Sequence, residues 1–375
     1  MPSVDKEIRV ALVGGGTGGH IFPALAVAHE LTRLRPQARP WLAIGRKRAE
    51  AEWAAEATLM PVRLFAAPVP YGLRPLALAR AAVAALMGTV QAWLWWTGWR
   101  PAAVLTFGGY VSVPAALAAR RKRIPYIFHA SDCLPDRAAR ILGRHAALIT
   151  LNYTESAEHF AGLPVEVVGQ PIRPWLLGAD RTEAARNLAL DPDRPTVLVM
   201  GGSQGARSIN YAAINAAGTI LDASEAQILH LCGSLDYDDL SEICITEGLP
   251  VERYRLVAFL REMQWALALG DVAVTRAGAN GLAELAAAGI PCIMVPYPYA
   301  GAHQRCNAEP LMKAGAGIIL NDEDLDGERL AGEILAILGD ETRRQAMAKS
   351  ARQWARPDAA TRLAQLTLQV AEDCS

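Results

Sequence analysis

By residue type, His20 is the side chain best suited to accept a proton. It leaves the run Gly14-Gly15-Gly16-Thr17-Gly18-Gly19, five glycines in six positions, and enters an apolar helical pattern from Ala24 to Leu34. Glycine lets a backbone approach a ligand closely, and the helix start behind it offers unpaired N–H groups to an anion. Three other stretches share this grammar: Thr106-Phe107-Gly108-Gly109-Tyr110-Val111-Ser112, Gly201-Gly202-Ser203-Gln204-Gly205-Ala206, and Thr275-Arg276-Ala277-Gly278-Ala279-Asn280-Gly281, which leads into a helix carrying Glu284. The polar loop His129-Ala130-Ser131-Asp132 adds a fifth. Small phosphates held at helix starts, with an imidazole to take a proton, is the chemistry these types support.

The elements that must position these loops are short apolar runs alternating with helical patterns. Strands are expected at 8–13, 40–45, 102–107, 124–129 and 146–150, then at 196–200, 226–231, 254–258, 271–274 and 290–295. Helices are expected at 326–338 and 341–354 among others. Strand–turn–strand signals are missing, which predicts parallel sheets covered on both faces, with ligands at the carboxyl edge. The fold class is therefore α/β. A first Rossmann-like domain is expected over 1–170 and a second over 171–357. Gly169-Gln170-Pro171-Ile172-Arg173-Pro174 forms the link, and a last helical pattern over 358–375 is placed to pack back on the first domain. Two such domains facing a cleft make the GT-B architecture of sugar transfer. A dinucleotide enzyme is the rival. Gly14, Gly16 and Gly19 fit G-x-G-x-x-G, but Arg46-Lys47-Arg48 stand where NAD binding wants an acid, which leaves only NADP.

At 375 residues, 52% hydrophobic and 20% charged, the chain can bury large α/β cores. Six cysteines without a C-x-x-C pair imply no metal site, and Asp5 and Glu7 before the first strand argue against a signal peptide. The net charge of −1 hides an asymmetry: residues 1–170 hold 19 basic against 11 acidic side chains (+8), and the remainder 18 against 27 (−9). The first half should therefore meet something anionic. Nucleic acid and an anionic membrane surface are both candidates; no nucleic-acid motif is present, and the glycine loops suit small phosphates better. Residues 81–99 are uncharged and include Trp93, Trp95, Trp96 and Trp99. Their length approaches that of a membrane span, but strand 102–107 must rejoin the sheet, so the segment reads as a crossover helix. Leu86, Val90 and Trp93 are expected to face the sheet. Either the helix belongs to the core, or its tryptophans sit at headgroup level beside Arg74, Arg80 and Arg100.

Taken in order, the glycine motifs and the run Ala277 to Asn307 resemble the MurG family, which transfers N-acetylglucosamine from UDP-N-acetylglucosamine to the undecaprenyl-diphosphate-linked muramoylpentapeptide, lipid I, giving lipid II of peptidoglycan. The resemblance covers residues 8 to 350. It implies that Ser203 and Gln204 hold the UDP diphosphate and that Arg173 neutralises it. Leu260 would read uracil through its backbone. Ala279, Asn280, Gly281, Leu282, Ala283 and Glu284 would line the nucleotide, with Glu284 on the ribose hydroxyls. Gln304, with His303 beside it, would bind the sugar. Thr17, Gly18 and Gly19 would border donor sugar and acceptor, and His20 would be the base. No cofactor and no metal is implied, and the enzyme would be cytoplasmic, peripheral on the inner membrane face.

Inversion at the anomeric carbon asks for such a set: a base for the acceptor hydroxyl, and N–H groups plus an arginine for the departing UDP. On the residues alone His20 could equally be a loop histidine bonded to backbone, Glu284 a helix-start acid, Arg173 a solvated linker charge and His303 a cap. One loop departs from the family. Where His-Glu-Gln-Asn is usual, this chain has His129-Ala130-Ser131-Asp132, so that Asp132 replaces an amide in the acceptor domain. An acceptor other than lipid I is the alternative this leaves open.

Overall fold

Apolar runs whose side chains are buried on both faces become parallel strands, because only a sheet sandwiched by helices hides both faces. In the computed structural model, residues 7–46, 50, 61–67, 75–202, 205–298 and 303–373 are described. The chain divides into one unit of Met1–Arg173 with Pro357–Ser375 and another of Pro174–Arg356.

In the first unit β1 (Ile8–Val13), β2 (Ala38–Ile44), β3 (Pro61–Arg63), β4 (Ala103–Thr106), β5 (Tyr126–Ala130), β6 (Leu148–Leu151) and β7 (Val165–Val167) lie parallel in the order 3-2-1-4-5-6-7. The helices are α1 (Gly18–Leu34), α2 (Pro75–Gly98), α3 (Ser112–Arg121) and α4 (Arg137–Gly143). The strand order reverses direction between β1 and β4. Val13 of β1 is in register with Thr106 of β4, and the Phe107 N–H donates to the Val13 carbonyl at 2.9 Å. The glycine loops after these two strands therefore leave the sheet side by side, at the switch point where α/β sheets bind ligands.

The second unit repeats the plan. Its strands are β8 (Thr196–Met200), β9 (Gln227–Leu231), β10 (Tyr254–Val257), β11 (Gly270–Thr275), β12 (Cys292–Met294) and β13 (Gly317–Ile319), parallel in the order 10-9-8-11-12-13. Its helices are α5 (Arg181–Leu188), α6 (Arg207–Ala223), α7 (Tyr237–Thr246), α8 (Met263–Leu269), α9 (Ala279–Ala288), α10 (His303–Lys313), α11 (Gly327–Leu338) and α12 (Glu341–Trp354). Met200 and Thr275 end β8 and β11 in register, so the backbone leaving them at Gly201 and Arg276 flanks this unit's switch point. The chain then returns to the first unit as α13 (Ala359–Asp373). Leu363 and Ala364 join the core of Ile21, Leu25 and Leu31 from α1, and Thr361 Oγ1 donates to Glu30 at 2.7 Å.

The expected face of α2 is wrong. Leu86, Val90 and Trp93 point to solvent, while Trp96 is fully buried and Trp95 and Trp99 pack against the core. The cause is close approach. A Cβ at Gly88 would collide with the Phe65 carbonyl, so the stripe Ala81, Gly88, Ala92 and Trp96 faces inward. The larger apolar residues are thereby left on the outside. Trp41 of β2 stacks against both Trp95 and Trp99, with ring centroids at 4.7 and 4.3 Å. The helix connects β3 to β4 of one sheet, so it is a crossover and does not span a membrane.

Candidate active site

The candidate proton acceptor is oriented by backbone. His20 lies in the first turn of α1, half-buried, with Nδ1 3.1 Å from the Gly15 carbonyl oxygen. A carbonyl can only accept, so the proton sits on Nδ1 and Nε2 presents its lone pair. The Thr17 hydroxyl stands 3.3 Å from the same Nδ1. Gly108 and Gly109, both at positive φ, form the wall beside the ring. A Cβ at Gly109 would stand 3.0 Å from Nδ1 and 2.5 Å from the Gly15 oxygen, and one at Gly108 would stand 3.5 Å from Nε2. Burial is the largest influence on His20 and holds its pKa below the ordinary histidine value. Asp132 opposes burial most strongly, followed by the Gly15 hydrogen bond, Asp136 and Glu50.

The neighbouring loop carries Asp132 exposed between two pinned carbonyls. Asn152 Nδ2 donates to the Ser131 oxygen at 2.9 Å, and Ser156 Oγ donates to the Cys133 oxygen at 2.9 Å. His129 is buried behind it, with Nδ1 3.0 Å from Thr150 Oγ1 and Nε2 3.1 Å from Gln170 Oε1. Burial lowers its pKa to about 4, so it stays neutral and ties β5 to β6 and to Gln170. Thr17 and Gly19 are exposed, whereas Gly18 is buried against the Phe22 ring. Arg173 closes the first unit. It is buried, with its guanidinium carbon 4.3 Å from the centroid of that same ring, and is not a solvated linker charge.

In the second unit, Gly201, Gly202 and Gly205 shape the turn before α6. A Cβ at Gly205 would strike the Cys232 carbonyl, and one at Gly201 would strike Ala206. Ser203 and Gln204 lie outside the described residues. Beneath the turn, Asn210 Nδ2 donates to the Cys232 oxygen and to Asp236, both at 2.8 Å. Asn210 Oδ1 accepts from His230 Nε2 at 3.1 Å, and His230 Nδ1 accepts from the Tyr254 hydroxyl at 2.7 Å. Arg276, which spacing did not single out, ion-pairs with Asp322 and donates to Ser208 Oγ at 2.7 Å, in the first turn of α6. Glu284 is buried in the second turn of α9, not at its start as the sequence suggested. Ala279, Asn280, Gly281 and Ala283 share its helix. The Leu282 side chain belongs to the core, so only its backbone can meet a ligand. Leu260 is half-buried in the loop past β10. His303 opens α10, and Gln304 Oε1 accepts from the Tyr297 N–H at 2.9 Å, which leaves its NH2 as the group to offer.

Four helix starts carry an aspartate cap. Asp136, Asp180, Asp326 and Asp340 cap α4, α5, α11 and α12, each accepting from a first-turn N–H at 2.7–2.8 Å. Among the described residues, the helices that follow the switch-point loops, α1, α3, α6 and α9, have no side-chain cap and no acid in their first turn, as is also true of α8. A helix start of this kind turns its positive dipole end toward an anion.

Comparison with known proteins covers both units of the chain. Residues 10–150 match the glycosyltransferase family 28 N-terminal domain, and residues 196–363 match the glycosyltransferase family 28 C-terminal domain. A UDP-N-acetylglucosamine–N-acetylmuramyl-(pentapeptide) pyrophosphoryl-undecaprenol N-acetylglucosamine transferase of Halothermothrix orenii is 36% identical over 363 residues, 93% of this chain and 95% of that protein. The protein of the same name from Corynebacterium jeikeium is 37% identical over 389 residues, covering 99% of each chain. The crystal structure of Acinetobacter baumannii MurG superposes with a TM-score of 0.72 at 25% identity, over 96% of this chain and 99% of that one.

The histidine geometry gives a titration test. By NMR, His20 should titrate below the ordinary histidine value of about 6.5, with its proton on Nδ1. Asp132→Asn removes a charge that favours the imidazolium and should lower the midpoint further. A midpoint at or above the ordinary value, or one unmoved by Asp132→Asn, would refute the electrostatic account of this site.

Proposed function

The chain belongs to glycosyltransferase family 28, and from that membership we propose that it transfers N-acetylglucosamine from UDP-N-acetylglucosamine to the muramoyl C4 hydroxyl of lipid I, giving lipid II. The observation that carries the chemistry is His20, whose Nδ1 is committed to the Gly15 carbonyl and whose Nε2 is left as the acceptor. His20 Nε2 takes the proton of the C4 hydroxyl as that oxygen attacks the anomeric carbon. The bond from that carbon to the UDP diphosphate breaks, and the α-linked donor becomes a β1→4 product. Negative charge then grows on UDP, which the positive start of α6 favours; Ser203, Gln204 and Arg173 belong to the diphosphate site by resemblance. Glu284 accepts from the ribose hydroxyls, Leu260 and residues 279–283 line the nucleotide, and His303 and Gln304 hold the sugar.

The enzyme works in the cytoplasm, on the inner face of the membrane. Outside α2 runs a stripe of exposed Leu76, Val83, Leu86, Val90, Trp93 and Leu94. Arg80, Arg120, Arg121 and Arg123 are exposed, and Lys122 Nζ stands 4.6 Å from the Trp93 ring centroid. An apolar stripe with tryptophan and cations at its rim suits the headgroup level of an anionic bilayer, where the polyprenyl acceptor is found.

The direct experiment is product analysis with a lipid I analogue and UDP-N-acetylglucosamine, which should yield a β-linked disaccharide. Asp132→Asn restores the amide usual in the family and should keep or raise the initial rate. A wild type inactive on the analogue, with Asp132→Asn no better, would assign the chain to another acceptor. Glu284→Ala should weaken UDP binding by about 1.5–3 kcal/mol, the worth of hydrogen bonds to a charged group. Calorimetry finding unchanged affinity would remove Glu284 from the nucleotide site. In flotation the protein should bind anionic vesicles and be released as salt rises. Equal, salt-insensitive binding to neutral vesicles would refute the electrostatic part.

A further inference from the structure

Glu50 is a buried acid with no part in the reaction described above. Its Oε2 accepts from the Gly45 N–H at 2.6 Å, at the end of β2, and its Oε1 accepts from the Tyr110 hydroxyl at 2.7 Å, in the loop after β4. The glycine loop after β1 is seated against both partners. A Cβ at Gly15 would stand 2.6 Å from Val111 Cγ2, 2.9 Å from the Gly45 nitrogen and 3.0 Å from Glu50 Oε2, and one at Gly16 would stand 2.9 Å from Tyr110 Cε1. The carboxylate thus joins the loops after β2 and β4 across the loop that carries the Gly15 carbonyl. That carbonyl sets the tautomer of His20, and the Gly108–Gly109 turn beside Tyr110 sets the plane of its ring.

Resting on the assignment of His20 as the base, we propose that Glu50, acting through Tyr110 and Gly45, is the positioning residue of the catalytic histidine. Burial and the Glu50 contact both push the Tyr110 pKa upward, so its hydroxyl remains a donor at any working pH. Glu50 has acceptor oxygens for both partners, whereas glutamine would offer one oxygen and turn an NH2 group toward the other donor. A buried donor would then lose its partner, and the turn would have to shift.

The test compares Glu50→Gln and Tyr110→Phe with wild type, each alone and combined with His20→Ala, on UDP-N-acetylglucosamine and a lipid I analogue. Displacement of a catalytic group by about 1 Å can cost about 10²-fold, so Glu50→Gln should lower kcat by about that factor and Tyr110→Phe by about 10-fold. KM for UDP-N-acetylglucosamine should stay within about twofold, because the lost interaction is felt at the base and not at the nucleotide. In the His20→Ala background the Glu50→Gln penalty should shrink to less than about threefold, since two residues acting as a unit are not additive. A penalty that persists in full without His20 would show a general defect of the fold and overturn the proposal, as would wild-type kcat in both Glu50→Gln and Tyr110→Phe. Tyr110→Phe decides the matter if Glu50→Gln does not fold. Wild-type turnover in His20→Ala alone would instead remove the base assignment on which the proposal rests.

Discussion

The first unit depends on one close approach, that of the Gly15–Gly16 backbone to the Gly108–Gly109 turn with the His20 ring between them. The approach tolerates no side chain on the facing positions: a Cβ at Gly109 would press on both the Gly15 oxygen and the ring. Both glycines of the turn have positive φ, which few other residues adopt without strain. The sheet makes the approach possible, because β1 and β4 are neighbours in register and release their loops at the same height. The rest of the unit holds that arrangement in place. α13 returns from the far end of the chain to cover α1, the helix that carries His20.

The second unit meets a different demand with the same economy. In the diphosphate site proposed above, a helix start without a side-chain cap favours an anion, and among the described residues α6 and α9 begin without one, where four other helices carry an aspartate. A buried chain from Tyr254 through His230 and Asn210 to the Cys232 carbonyl braces the floor under Gly205. Burial lowers the His230 pKa to about 3, so the chain stays uncharged. The charge asymmetry follows the same division of labour: the basic half carries the apolar stripe of α2, and the acidic half carries the Asp-capped α11 and α12.

The parallel sheets, ten of the strands and the helices at 326–338 and 341–354 were legible because hydrophobic period and glycine punctuation are local signals. The three strands that spacing missed, β3, β7 and β13, are three residues long and lie at sheet edges, too short to show a period. The face of α2 was misread because hydrophobicity pointed the large residues inward, whereas the geometry demanded small ones at Gly88 and Ala92. Glu50 and Arg276 had no pattern to announce them: each acts through contacts distant in sequence, Glu50 with Tyr110 and Arg276 with Asp322. The motif residues of the first unit come together around His20, while Glu284 sits a turn deeper in α9 than a helix-start acid would.

The central claim is that His20 is the base of a sugar transfer whose nucleotide is bound elsewhere, and His20→Ala tests it most directly. Turnover of UDP-N-acetylglucosamine with a lipid I analogue should fall by about 10²–10⁴-fold, the usual worth of a general base, while UDP binding by calorimetry stays at the wild-type value. A loss of tenfold or less, or a parallel loss of UDP affinity, would contradict the account.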